Sequence, residues 1–325
     1  MAKILITGGA GFLGRHLTRR LLENGHEVHV VDSIALDTGG VDVNSGWPLF
    51  DPRDFRQFFF YKEDCRDWFQ RVKSTDFDYA FHLAAVVGGR AMIANNPLGV
   101  ADNLSTDSAY WKWAKIARPR KTLCFSSSAA YPISLQREDH HVLLKEDMIS
   151  FNDGIGIPDM TYGWAKLTCE YLARLAFEKH GLNSVCYRPF SVYGEDQDDA
   201  YPFPSICKRA IIHRDSSELT VWGSGTQMRD FIHIDDSVEG ILKTMDKIDD
   251  GNAVNLSTGK FTSIIEFARI AANALGYRPH IRGLLHQPVG VHARGGDTEK
   301  QIQLGFKYTI DFRVGIARAL NYYGA

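Results

Sequence analysis

The chain has 325 residues, 44% of them hydrophobic and 23% charged, with a formal net charge of -2. This length supports a sizeable core, as one large domain or two unequal ones. A balance so near neutral gives no general electrostatic case for nucleic acid or an anionic membrane surface.

Residues 3–7 read as a strand that starts almost at the N-terminus. Its apolar run is too short for a signal peptide, and no stretch of the chain reaches the ~18 apolar residues of a membrane span. Thr7-Gly8-Gly9-Ala10-Gly11-Phe12-Leu13-Gly14 follows this strand and opens a helix over 12–24. The pattern is G-x-x-G-x-x-G. Gly8 permits a tight turn, Gly11 lets a pyrophosphate approach the backbone, and Gly14 allows close helix packing. The helix N-terminus then offers free N–H groups and partial positive charge to phosphates. A glycine triplet can also be a plain turn; its place at the first strand–helix junction favours a dinucleotide site.

The second strand, 27–32, ends at Asp32, eighteen residues (32 − 14) after Gly14. A carboxylate there accepts hydrogen bonds from the adenosine ribose hydroxyls. It repels a 2′-phosphate by roughly 3 kcal/mol per pair of unit charges at ~5 Å and an effective dielectric of ~20. No Arg or Lys follows until Arg53, so the expected cofactor is NAD rather than NADP. Residues 33–57 read as a long loop over the site.

A fully buried strand over 79–83 runs into His82-Leu83-Ala84-Ala85, and a helix follows over 97–117. The strand at 121–126 leads into Ser126-Ser127-Ser128 and Tyr131-Pro132. A hydroxyl at a strand's C-terminal end can bind a substrate oxygen, although serines there are equally suited to capping. On the helix over 161–180, Tyr162 and Lys166 stand four apart, hence on one face. A phenol is a poor base at neutral pH. An ammonium ~4 Å from it stabilises the phenolate by about 4 kcal/mol at a dielectric of ~20, which makes Tyr162 a candidate general base.

Beyond residue 190 the pattern breaks into shorter elements: helices near 204–214, 235–247 and 262–275, and a strand near 219–222. Strands at 183–189 and 253–256 return to the sheet. The expected fold is α/β, a doubly wound parallel sheet of Rossmann type over 1–190, with a smaller C-terminal substrate-binding lobe over 191–325. The cysteines, Cys65, Cys124, Cys169, Cys186 and Cys207, are scattered and odd in number. They form neither a disulfide framework nor a zinc site, and they fit a cytoplasmic protein without a metal.

Taken together, these motifs resemble the extended short-chain dehydrogenase/reductase family, in its sugar-nucleotide epimerase/dehydratase branch. The resemblance covers nearly the whole chain. It is carried by Thr7–Gly14, His82–Ala85, the serine run, Tyr162–Lys166, Arg188-Pro189-Phe190-Ser191-Val192-Tyr193-Gly194 and Trp222–Asp236. It implies an NAD enzyme with Ser127, Tyr162 and Lys166 as catalytic residues. It also implies that Asp64 and Cys65 meet the adenine, that Leu83, Ala84, Ala85 and Asn103 line the cofactor cleft, and that Phe190 and Val192 face the nicotinamide.

In the second lobe the resemblance implies a nucleoside-diphosphate site. Arg229, in Trp222–Phe231, and Arg294, in Pro288–Asp297, are candidate diphosphate clamps, with Arg209 a third; each arginine is also open to a surface salt bridge. Ser128 and Trp222 complete the expected substrate contacts. These enzymes take a hydride from a sugar carbon, usually C4. The Asp-Glu pair of 4,6-dehydratases is replaced here by Ser128 and Ala129. Within the branch, the chain most resembles GDP-mannose 3,5-epimerases. It lacks their added acid/base pair: Ala129 stands in place of the Cys, and Asp199-Ala200-Tyr201 in the region of the Lys. The expectation is a 4-epimerase or 4-dehydrogenase of a GDP-hexose or GDP-heptose in surface-glycan precursor synthesis, working as a homodimer paired through helices 97–117 and 161–180. Trp111, Trp113, Tyr171 and Leu175 are apolar material for that pairing, and equally for the core of the chain itself. The alternatives are a 3,5-epimerase, a 4,6-dehydratase, or a non-catalytic NAD-binding sensor.

Overall fold

The computed structural model describes residues 1–35, 38–73, 76–287 and 289–325. Seven parallel strands form the central sheet: β1 (Lys3–Thr7), β2 (Glu27–Asp32), β3 (Phe58–Lys62), β4 (Tyr79–His82), β5 (Lys121–Phe125), β6 (Ser184–Pro189) and β7 (Asp250–Leu256), in the order β7-β6-β5-β4-β1-β2-β3. β1 pairs with β2 from Lys3↔Glu27 to Thr7↔Val31 and with β4 from Ile4↔Tyr79 to Thr7↔His82. The order reverses beside β1, so the crevice above the C-terminal ends of β1 and β4 is where a doubly wound sheet opens to a ligand. All residues of β4 and β5 are buried, as expected for parallel strands covered on both faces.

One face is covered by α1 (Phe12–Glu23), the other by α2 (Cys65–Arg71), α4 (Pro97–Ala117) and α5 (Met160–His180), with α3 (Arg90–Asn95) a short turn ahead of α4. Each face buries its own apolar cluster. Leu17, Val30, Phe81 and Tyr187 belong to one, and Leu5, Trp68, Tyr110, Trp113 and Ala173 to the other. Trp111 and Trp113, which the sequence left open between a subunit interface and the core, lie in this second cluster at 8% and 2% exposure. Trp113 Nε1 donates to Val72 O at 2.8 Å. Trp113, buried and hydrogen-bonded inside its own chain, is core; Trp111 Nε1 is buried without a partner among the described residues.

The sequence reading missed β3 and α2. Phe58-Phe59-Phe60-Tyr61-Lys62 has no apolar–polar alternation, yet it pairs with β2 from Val28↔Phe58 to Asp32↔Lys62 as the edge strand. The 33–57 stretch ahead of it is partly folded. It holds two short 3-10 turns, Val43–Ser45 and Pro52–Asp54, and buries Trp47. Leu36 and Asp37 lie outside the described residues.

Beyond β6 come α6 (Pro202–Ile212), α7 (Ile234–Thr244), α8 (Ile264–Ala274), α9 (Glu299–Gln303) and α10 (Phe312–Tyr322), with short strands that include Glu218–Trp222 and Ala293–Gly296. α7 packs beside α1 on the sheet, its Ile234, Val238 and Ile241 joining the cluster of Leu17 and Val30, and α9 lies against β7; α6, α8 and α10 build the second lobe. Tyr193, Phe203, Phe267 and Ile316 form its own core. Asp230 ties this lobe to the end of β7. Buried completely, it accepts from Thr258 N, Thr258 Oγ1, Gly259 N and Gly296 N.

Candidate active site

A single cavity of about 990 Å³ runs from the first strand–helix turn to the second lobe. Every residue that the sequence assigned to catalysis, cofactor or substrate lines it except Asn103. Asn103 is buried beside it and holds the Val86 peptide from both sides: Val86 N donates to Asn103 Oδ1 at 2.7 Å, and Asn103 Nδ2 donates to Val86 O at 2.9 Å. With both amide groups engaged in this way, Asn103 shapes the wall from behind; Asp102 and Thr106 are the α4 residues that face the cavity.

The glycine turn is built as a cradle. Gly8 has φ +74, and a Cβ there would stand 2.4 Å from Ala84 N, where β4 leaves the sheet. A Cβ on Gly14 would meet Gly8 O at 2.4 Å and Gly9 Cα at 2.6 Å. The contact that requires Gly14 is thus with the turn itself. At Gly11 the nearest atom to such a Cβ is Gly8 O at 3.3 Å, and the remaining side opens to the cavity, as a close-approaching pyrophosphate requires. Phe12 and Leu13 complete the wall at the helix N-terminus.

Asp32 closes this end. Its carboxylate accepts from Ala10 N and Ile34 N, both at 2.9 Å, while burial pushes its carboxyl above the usual range. Asp64 caps α2 and pairs with Arg66. Burial pushes the Cys65 thiol up to about 12, so it contributes shape rather than a thiolate. Turn and carboxylate together fit a dinucleotide.

At the cavity's midpoint, α5 meets the serine run. The structure gives the three serines different partners. Ser126 turns inward, donating to Glu170 and to Lys166 O. Ser127 Oγ accepts from Ala129 N at 3.1 Å, and Ser128 is buried at the cavity wall. Lys166 Nζ donates to Phe125 O at 2.8 Å and lies 5.7 Å from the Tyr162 ring centroid. Burial works against its charge, but the Tyr162 oxygen and the Asp107 carboxylate outweigh that and hold Lys166 above the ordinary lysine range.

Two residues set this approach. A Cβ on Gly163 would lie 2.5 Å from Ala129 O, so only glycine lets α5 come this close. Met160 enters α5 at φ +59, a conformation that strains a non-glycine residue by about 1–3 kcal/mol. Asp159 holds it there: Asp159 N donates to Ala129 O at 2.9 Å, and its carboxylate pairs with Arg294 at 2.8 Å and Arg90 at 3.2 Å.

Those arginines belong to the far end. Arg229 Nη1 reaches only the carbonyls of Met228 and His292, at 2.7 and 3.4 Å, among the described residues. Burial, with Arg294 and Arg90 nearby, pushes its guanidinium down to about 9. Arg294 also donates to Gln136 Oε1 at 2.6 Å; its partners are internal, not those of a surface bridge. A Cβ on Gly290 would stand 3.0 Å from Arg90 Nη1 and 3.1 Å from Arg229 Nη2, so these two guanidiniums converge. Three guanidiniums around one carboxylate leave an excess of two positive charges, complementary to a diphosphate. Arg209 is half-buried, with Nε on Ser205 O. Trp222 stands at the rim, 46% exposed. Pro288, in the Arg294 motif, lies outside the described residues. The sequence reading missed Arg90, Asp159 and Gln136. Arg90 alone had a local signal, a charged residue directly after Gly88-Gly89.

Among the described residues no helix is long and apolar enough to cross a membrane. The chain is similar to GDP-L-colitose synthase of Yersinia pseudotuberculosis, at 25% identity over 99% of this chain and 97% of that protein. It is 28% identical to GDP-mannose 3,5-epimerase of Arabidopsis thaliana over 91% and 74%. Its fold matches the Bacillus cereus UDP-glucuronic acid 4-epimerase, solved with UDP-glucuronic acid and NAD, at a TM-score of 0.81 and 25% identity over 98% of both chains. The profile of the NAD-dependent epimerase/dehydratase family matches residues 4–257. With its glycine cradle, Asp32 and the Tyr162–Lys166 pair in one cavity, the chain belongs to that family and is an NAD-dependent sugar-nucleotide enzyme of the extended short-chain dehydrogenase/reductase type.

Proposed function

We propose that the chain oxidises and re-reduces C4 of a GDP-linked hexose or heptose, as a 4-epimerase, or releases the 4-keto sugar as a 4-dehydrogenase. The reading is carried by Ser127, Tyr162 and Lys166 standing between a dinucleotide cradle and a cluster of guanidiniums in one cavity. NAD, when bound, would supply the hydride acceptor. Tyr162 takes the proton of the C4 hydroxyl, Ser127 holds that hydroxyl's oxygen, and Lys166 stabilises the phenolate. Arg229 and Arg294 hold the diphosphate, with Trp222, Arg209 and Ser128 completing the substrate site. Asp64 and Cys65 border the adenine, Leu83, Ala84 and Ala85 the rest of the cofactor, and Phe190 and Val192 the nicotinamide. Ala129 has no acid or base to offer, which speaks against elimination across C5–C6 and against proton removal at C3 or C5. The GDP assignment draws on the GDP-sugar relatives.

A panel of GDP- and UDP-sugars, with products read by NMR and bound cofactor assayed after denaturation, tests this. A C4 epimer or free 4-keto sugar from a GDP-sugar is expected. A 6-deoxy product, a product inverted at C3 or C5, or turnover of UDP-sugars alone overturns it.

We also propose a homodimer paired through α4 and α5. Leu104, Trp164, Tyr171 and Phe177 on these helices are exposed, as apolar residues awaiting a partner are. Sedimentation at twice the chain mass is expected; a monomer's mass at micromolar concentration refutes it.

A further inference from the structure

Asp32 is not the only charged group at the cofactor end of the cavity. Arg15 directly follows Gly14 in α1, lines the cavity, and has a side chain only 3% exposed. Its Nη1 donates to Ala10 O at 2.9 Å and Gly39 O at 3.4 Å. Its Nη2 donates to Asp196 O at 3.2 Å and Asp196 Oδ2 at 2.8 Å. Nε is buried with no partner among the described residues. Asp196 comes from the loop after Tyr193-Gly194, its side chain is 1% exposed, and its Oδ1 lies 2.7 Å from His16 Nε2.

Arg15 and Asp32 grip the same residue. Ala10 N donates to Asp32 Oδ2, and Ala10 O accepts from Arg15 Nη1, both at 2.9 Å. A guanidinium one residue's width from the carboxylate at the ribose position is well suited to accept a 2′-phosphate. Here all four of its Nη hydrogens are engaged, and a buried carboxylate neutralises it.

We propose that Asp196 is a cofactor-specificity residue. By pinning Arg15 it withholds that guanidinium from the 2′-phosphate of NADP, so the choice of NAD rests on Asp196 as well as on Asp32. Asp196 reaches the cofactor only through Arg15, so removing its charge changes the ratio of the two affinities rather than both together.

The test is calorimetric titration of the nucleotide-stripped full chain with NAD and NADP. Asp196→Asn and Asp196→Ser are expected to tighten NADP about tenfold or more, as a freed guanidinium–phosphate contact does, while NAD stays within about threefold. Adding Arg15→Met to Asp196→Asn is expected to abolish the gain. Where a variant is too unstable to titrate, its melting temperature reports the same thing, since a ligand stabilises in proportion to its affinity for the folded state. NADP is then expected to raise Tm more, relative to NAD, than it does in the parent chain. A neutral variant that binds NAD but keeps the parent's NAD-to-NADP ratio, in titration or in melting, overturns the proposal. The pair would then serve only to tie the second lobe to α1.

Discussion

Tyr162 and Lys166 share one face of α5, with the lysine Nζ anchored on Phe125 O at 2.8 Å. Tyr162→Phe keeps the ring and removes the hydroxyl, so nucleotide affinity measured by titration is expected to stay nearly unchanged. Turnover is expected to fall by about two to four decades, the range of a positioned acid/base. Lys166→Met is expected to lose at least as much, because it also removes a buried donor. Ser127→Ala is expected to lose less, since Tyr162 still reaches the hydroxyl. NAD reduction by Tyr162→Phe at near-parent rate sinks the assignment. At the other end, Arg229→Ala is expected to weaken GDP binding by ~2–4 kcal/mol, the loss of one partner of a charge-assisted contact. Equal Kd values for variant and parent would remove Arg229 from the diphosphate site.

Among the elements, α5 does the most to assemble the site, because it carries Tyr162 and Lys166 and is drawn against the serine turn. That approach depends on Gly163, where a Cβ would sit 2.5 Å from Ala129 O and 3.0 Å from Pro158 Cβ. Neither atom is the free end of a flexible chain, so the helix itself must shift. Gly163→Ala is expected to destabilise the chain by about 1–3 kcal/mol, as overpacking does, and to lower kcat more than it raises KM. Parent-like melting and kcat would show that the turn yields instead.

For the whole molecule, Asp230 is the clearest latch between lobe and sheet. Four donors favour its anion, yet burial dominates and its carboxyl is pushed up to about 6 from 3.8. A carboxyl raised on folding binds its proton more tightly in the folded state. Its contribution to stability is therefore full below about pH 4 and declines as pH rises to about 6, by about 3 kcal/mol at ~1.4 kcal/mol per pH unit. Asp159 and Asp196, whose carboxyls their cationic partners hold low, act in the opposite direction and can mask this in the parent alone. The difference in unfolding free energy between parent and Asp230→Asn isolates it and is expected to fall across pH 4–6. A flat difference across that window excludes Asp230 as the titrating group.

The sequence by itself determined whatever depends on local pattern. Strand–helix alternation made six of the seven sheet strands readable. The glycine turn, Asp32 and the Tyr162/Lys166 spacing named the dinucleotide cradle and the acid/base pair, because each motif acts through neighbours within a turn or two of chain. Tertiary structure alone decided what depends on distant partners. Phe58–Lys62 became a strand because β2 offered it an edge. Asn103 turned from the cavity because the Val86 peptide takes both its amide groups. Trp113 became core because Trp68 and Phe69 of α2 pack against it and Val72 O accepts its Nε1–H. Arg90, Asp159 and Arg294 are separated by 69 and 135 residues, and no local pattern announces a pairing at that range. Such contacts arise only when a hydrophobic core has fixed the backbone, because charged groups buried together must find one another or stay in water.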